Sequence, residues 1–158
     1  MDSINIKATG FDTIEKILNN LAVNISNPDE KLMKRLGGVV LGDIDQRFMT
    51  RGRGTWAPLS PRTIKRKGHD YVLIDSGAMF KSVTITELSR GKVAVGVLYA
   101  GKKHDPKVPG YHQAGAPARN LPQRKIVENT PLLQLALITE TQLWVKEMIV
   151  AFKTEVSK

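Results

Sequence analysis

The chain contains no cysteine. Disulfides and thiolate metal sites are therefore excluded, a composition that suits the cytosol. Long apolar runs are missing too. Residues 132–138 form the longest apolar region, and Gln134 interrupts it. A membrane-spanning helix needs about 20 such residues, so none is expected. The N-terminus has no apolar stretch of the kind a signal peptide carries, so none is expected there either.

Carboxylates are scarce where the chain is most basic. Residues 46–125 hold only Asp70, Asp75, Glu87 and Asp105. A two-metal nuclease needs clustered carboxylates, and this region is short of them. The three histidines, His69, His104 and His112, lack ligand spacing with one another. Zinc needs three or four convergent ligands, so no metal or other cofactor is expected. Ser76 lies in Asp75-Ser76-Gly77, not in the G-x-S-x-G setting of a nucleophile elbow. That triplet reads as a turn. Arg51-Gly52-Arg53-Gly54-Thr55 has the glycines of a phosphate loop but not its G-x-x-x-x-G-K-[ST] form. A catalytic reading has only His112 and Asp75 left to draw on, and the chain is not expected to be an enzyme.

What remains is a length of 158 residues, enough for one domain with a real core. The net charge of +9 is unevenly placed. Residues 46–125 carry sixteen Lys/Arg against four Asp/Glu, whereas both flanks are slightly acidic. Arg47, Arg51, Arg53, Arg62, Lys65, Arg66 and Lys67 form a run with no acid between Gln46 and His69. Such a run can neutralise phosphates, face an acidic partner or keep the surface solvated. Trp56 is the one aromatic among the basic residues from Arg51 to Lys67, so a stacking platform for single strands is not supported. Contact with nucleic acid would be to its backbone, without base readout.

The pattern of apolar residues predicts an α+β fold in one domain, residues 1–158. It comprises two N-terminal helices, a small antiparallel sheet with a central hairpin, and a C-terminal helix. Ile4 and Ile6 alternate over residues 3–7 and suggest a short strand. Three-to-four spacing from Phe11 to Ile25 predicts a helix over 11–26. Asn27-Pro28 predicts the start of a second helix, with Asn27 as cap, running to about Thr50. Ser60-Pro61 predicts a short basic helix to Lys67, closed by Gly68. Residues 82–88 and 92–99 alternate around Ser89-Arg90-Gly91 and predict a hairpin. Val93, Val95, Val97 and Tyr99 would share one of its faces. Residues 100–118 read as a long mobile loop. Leu133, Leu135 and Leu137 alternate and suggest a last strand over 132–138. Thr139-Glu140-Thr141-Gln142 has capping-box form, predicting a helix over about 140–155.

A set of fragments adds a resemblance. Arg47-Phe48 are followed by Trp56-Ala57-Pro58-Leu59-Ser60, then Thr63 and Lys67. Leu73, Asp75-Ser76-Gly77-Ala78-Met79 and Ser82 come next. Val95-Gly96 and Tyr99-Ala100 precede His112-Gln113-Ala114-Gly115 and Leu121-Pro122-Gln123-Arg124. In this order, over about half of the chain, they resemble the phage virion-morphogenesis family, the tail-completion proteins of Mu-like phages and prophages. Two departures stand out. Residues 101–111 intervene between the Tyr-Ala and His-Gln pairs, which in the family lie close together. This insertion carries Lys102, Lys103 and Lys107. There are also two Pro-x-Arg triplets, at Pro117 and Pro122. The second is aligned with the family, because the segment after it leads to the Thr139 cap.

The resemblance implies a virion structural protein for tail completion or head–tail joining. It implies a ring of identical subunits, with a hexamer as the candidate size, at the neck or tail end. Its partners would be itself and other neck and tail proteins. It would reside in the virion and, during assembly, in the host bacterial cytoplasm. The motif residues would be structural. Trp56 would anchor its loop, with Pro58, Leu59 and Thr63 beside it. Gly77, Gly96 and Gly115 would permit turns or close approach. His112 and Gln113 would satisfy backbone groups, with Tyr99, Pro122 and Arg124 completing the set. Arg47, Arg51, Arg53, Arg62, Lys65, Arg66, Lys67, Lys102 and Lys103 would be candidate contacts to phosphate or to a lumen through which DNA passes. The alternative reading is a stand-alone, non-specific nucleic-acid-binding module.

Overall fold

The computed structural model describes residues 11–98 and 105–156. The expected strand at 3–7 lies outside them, as do Tyr99, Lys102 and Lys103. The first two helices are α1 (Phe11–Ser26) and α2 (Glu30–Met49). Asp29, not Asn27, caps α2: its carboxylate accepts from the Leu32 N–H at 2.9 Å. The turn before it is fixed differently. The Pro28 carbonyl accepts from Gly91 N–H at 2.9 Å, and the Asn27 carbonyl accepts from Arg90. Asn27-Pro28 thus docks on the hairpin turn, and the cap moves two residues on.

The hairpin pairs β1 (Val83–Ser89) with β2 (Lys92–Val97), antiparallel. A bulge lies between Ile85 and Glu87. Strict alternation would put Val83, Ile85 and Glu87 on one face. The extra residue, Thr86, shifts the phase, so Leu88 instead stands opposite Val93. Val83, Ile85 and Leu88 then face Val97, Val95 and Val93. This apolar face is laid on α2. Gly37 of α2 is buried there, and a Cβ on it would come within 2.8 Å of Ile85.

Two clusters make the core. Ile44 and Phe48 of α2 pack with Trp56, Val72, Met79 and Ile126. The Phe48 and Trp56 rings meet edge to face, 5.6 Å between centroids. At the other end of α2, Leu32 and Met33 pack with Trp144 of the last helix. Arg35 ties the same pair of helices together through Glu140 and Glu147.

The C-terminal region departs from expectation. One continuous helix, α6 (Pro131–Val156), replaces the strand over 132–138 and the cap at Thr139. Its start signal is Thr130-Pro131. Thr130 Oγ1 accepts from Leu133 N–H at 3.2 Å, and proline occupies the first helical position. Thr139 and Thr141 donate their hydroxyls to the carbonyls of Leu135 and Leu137, one turn back. Alternation over seven residues cannot separate a strand from a buried helix, and a helix satisfies its own backbone where, among the described residues, no third strand is present to pair with. No helix among the described residues is long and apolar enough to cross a membrane.

Candidate functional site

Several of the motif fragments meet in space. Helix α3 (Pro61–Lys67), the short helix α4 (Ala78–Lys81) and helix α5 (Val108–Ala114) surround one cleft of about 490 Å³. Pro58, Leu59, Thr63, Gly77, Met79, His112, Leu121, Pro122 and Arg124 all line it. Residues 108–119 are not a structureless loop. Pro109 lies within the first turn of α5, where its missing N–H costs nothing, and Pro117–Arg119 form a 3-10 turn.

Local capping holds the first wall. Ser60 Oγ accepts from Thr63 N–H at 3.3 Å, and Gly68 closes α3 in the left-handed conformation. Gly77 also takes positive φ, 79°, at the start of α4. Ser76 Oγ accepts from Ala78 N–H at 3.4 Å. Both serine hydroxyls therefore serve turns.

Arg124 and Trp56 fasten the second wall to the first, and Gln113 holds the second wall to the segment that follows it. Arg124 is 5% exposed, and its Nε and Nη2 donate to the Ala57 carbonyl at 3.2 and 3.1 Å. Trp56 Nε1 donates to the Lys125 carbonyl at 3.2 Å. Gln113 makes three bonds to one short segment. Its Oε1 accepts from Ile126 and Val127 N–H at 2.8 and 3.0 Å, and its Nε2 donates to the Val127 carbonyl at 2.7 Å. The His112 carbonyl accepts from Arg124 N–H at 2.7 Å. Gly115, at φ 79°, passes so close to Gln123 that a Cβ would meet its backbone nitrogen at 3.2 Å. Gly96 faces Thr86 across the hairpin, away from this site.

The two Pro-x-Arg triplets are now distinguishable. Arg124 is in the cleft wall, whereas Arg119 is exposed and lies over the Tyr111 ring, 4.5 Å from its centroid. The cap at Thr139, which was the reason for choosing the second triplet, does not exist. Burial of Arg124 and its carbonyl partners distinguish the two instead.

The basic run does not act as one surface. Arg47 is 2% exposed, so it is withdrawn as a phosphate or lumen contact. It lies one turn after Asp43 on α2, binds that carboxylate at 2.9 Å, and reaches Glu128 at 3.0 Å. Arg53 also pairs with Asp43, and Arg51 with Asp70. Arg66 stands 3.7 Å from Asp75. Lys67 Nζ donates to the Tyr71 carbonyl at 2.6 Å. Arg62 and Lys65 are exposed, and among the described residues no ion pair engages them. Asp43 and Glu128 were not anticipated as partners. The i,i+4 spacing of Asp43 and Arg47 was the available signal for one of them.

Titration follows this geometry. Burial lowers the pKa of the His112 imidazole, and the Arg124 guanidinium lowers it further. Its Nδ1 is buried without a hydrogen-bond partner. Burial also lowers the pKa of Lys67; Asp75 opposes the shift, while Arg66 and Arg124 add to it. Glu128 is held below the ordinary carboxylate range by its bond to Lys125, then by that to Arg47. The cleft thus has a positive wall with one facing carboxylate. Among the described residues no group of three His, Asp or Glu side chains is placed to hold a metal. No family model, curated protein or solved structure matches the chain.

Proposed function

We propose that this chain is a phage virion structural protein, acting without catalysis in tail completion or head–tail joining. It works by self-assembly into a ring at the neck or tail end. The observation that carries the reading is spatial. Four of the fragments that resemble one family by their order, those around Pro58-Leu59, Gly77, His112 and Arg124, line one cleft. Their polar groups hold loops to one another: Arg124 to Ala57, Trp56 to Lys125, Gln113 to Ile126 and Val127. This use of the motif suits a rigid building block, since buried polar groups that are fully bonded rigidify a structure.

Deleting the gene from its phage or prophage tests the role. The expected particles are filled heads and tails that fail to join, or tails of abnormal end structure, restored by the gene in trans. Normal yields of infectious particles without it would remove the reading.

The nucleic-acid module is supported by a narrower feature. Arg62 and Lys65, on the exposed face of α3, keep their charge open to solvent. It predicts salt-sensitive binding of duplex DNA by the monomer. Absence of a mobility shift at low salt would eliminate it.

A further inference from the structure

Among the described residues two arginines are buried, and their charges are met differently. Arg47, 2% exposed, binds the carboxylates of Asp43 and Glu128. Arg124, 5% exposed, binds carbonyl oxygens alone, those of Ala57 and Pro58. No carboxylate among the described residues pairs with it. A buried charge is ordinarily paired, because its lost hydration must be replaced. Burial lowers the Arg124 pKa, and no neighbouring acid opposes the shift. Nor does the clamp use the whole guanidinium. Nε and Nη2 make its bonds, and Nη1 makes none. Nη1 is not sealed in: among the described residues, the buried side-chain nitrogens and oxygens without partners are His69 Nδ1 and His112 Nδ1.

Two further donors line the same cleft, close enough that the Arg124 charge acts on both. Lys67 Nζ gives one proton to the Tyr71 carbonyl and keeps two. His112 has its Nδ1 buried, where a proton would be an orphaned donor, so the ring proton belongs on Nε2. The one carboxylate in the lining, Asp75, stands 3.7 Å from Arg66. Pro58, Leu59, Leu73, Met79, Val108 and Leu121 supply an apolar remainder. The volume of about 490 Å³ falls within the roughly 300–1,000 Å³ of ligand pockets.

We propose that this cleft binds a carboxylate set between apolar groups, an acidic side chain in a peptide segment of a neighbouring protein. The carboxylate meets Arg124 Nη1, with Lys67 Nζ and His112 Nε2 beside it, and is the charge partner that the chain itself does not provide. The apolar lining suits the residues flanking that acid and offers nothing to a sugar-phosphate backbone. The exposed cations Arg62 and Lys65 lie outside the cleft. The source of the peptide rests on the structural-protein reading; the chemistry of the site does not.

Nuclear magnetic resonance of the full chain tests it, with the blocked peptide acetyl-Leu-Glu-Leu-amide as probe. The Arg124 Nε–H signal and the His112 ring signals should shift and saturate at millimolar peptide. Acetyl-Leu-Gln-Leu-amide, which keeps the shape and lacks the charge, should bind about tenfold more weakly or worse. Arg124→Gln should abolish binding of the acidic peptide. Should that variant fail to fold, Lys67→Gln removes a donor outside the clamp and should weaken binding by about tenfold. No shift with the acidic peptide overturns the proposal, as does equal binding of the two peptides. So does sodium hexanoate or inorganic phosphate that binds as tightly as the acidic peptide, or a short DNA duplex that displaces it. A chain that binds the acidic peptide but is missing from virions would keep the site and remove the phage role. A virion component that ignores the peptide would lose the site alone.

Discussion

Substituting Gln113 with leucine should cost about 2–3 kcal/mol of stability, mainly by leaving the buried Ile126 N–H without a partner. The side chain is nearly isosteric, so packing changes little and the loss is one of hydrogen bonding. Three bonds disappear together: to Ile126 N–H, Val127 N–H and the Val127 carbonyl. They are not equivalent. Ile126 is 2% exposed, so an orphaned donor there costs roughly 1–3 kcal/mol. Val127 is exposed, and water can replace most of what its groups lose, leaving a net cost of about 0.5–1 kcal/mol. The segment released leads directly to Glu128, which binds Arg47. Gln113→Glu is the informative control. A carboxylate keeps both accepted bonds but cannot donate to Val127, so its loss should be clearly smaller. Urea unfolding at fixed protein concentration, followed by far-UV circular dichroism, gives both values. An unchanged midpoint for the leucine variant, or a glutamate variant that is the worse of the two, would refute the idea that Gln113 clamps this segment.

Other perturbations probe different parts of the same account. Arg47→Met leaves Asp43 buried with only Arg53 beside it, so about 2–4 kcal/mol should be lost, and adding Asp43→Asn should restore part of this; calorimetry of the three variants measures it. Gly52→Ala combines a positive φ of 66° with a Cβ inside the envelope of the buried Trp56 indole, and should lower stability by at least about 2 kcal/mol in urea melts. His112 has a folded-state pKa below its unfolded value of about 6.5. The unfolded chain therefore binds the proton first as pH falls. The stability from this group is complete above about pH 6.5 and is lost as pH drops through the folded pKa. His112→Asn should flatten that part of a stability–pH curve; an unchanged slope would show that other groups set it.

Much of the fold was legible because its signals were local. The ends of α3 follow from Ser60-Pro61 and Gly68, and α1 from the spacing of its apolar residues. The cap of α2 was misplaced because Asn27-Pro28 and Asp29 compete as start signals, and a tertiary contact with Gly91 decides between them. The C-terminal strand was misread for a related reason. Leu133, Leu135 and Leu137 alternate in sequence, yet only Leu133 of the three is buried, and the Thr130-Pro131 start signal outweighs the alternation. The residues of the cleft were individually legible as motifs. Their meeting was not, because the bonds that join them span long separations, as from Ala57 to Arg124. The basic run misled in the opposite direction. It is free of acids in sequence, but Asp43, Asp70, Asp75 and Glu128 come to it in space. Segment charge counts cannot see such pairing.

The proposed role is tested most directly by where the chain is found. Quantitative mass spectrometry of purified complete particles, from a host carrying the intact phage or prophage, should detect this chain at a small, fixed number of copies per particle. Immunogold labelling should place it at the neck or tail end. Complete, infectious particles that contain none of it would contradict the central claim.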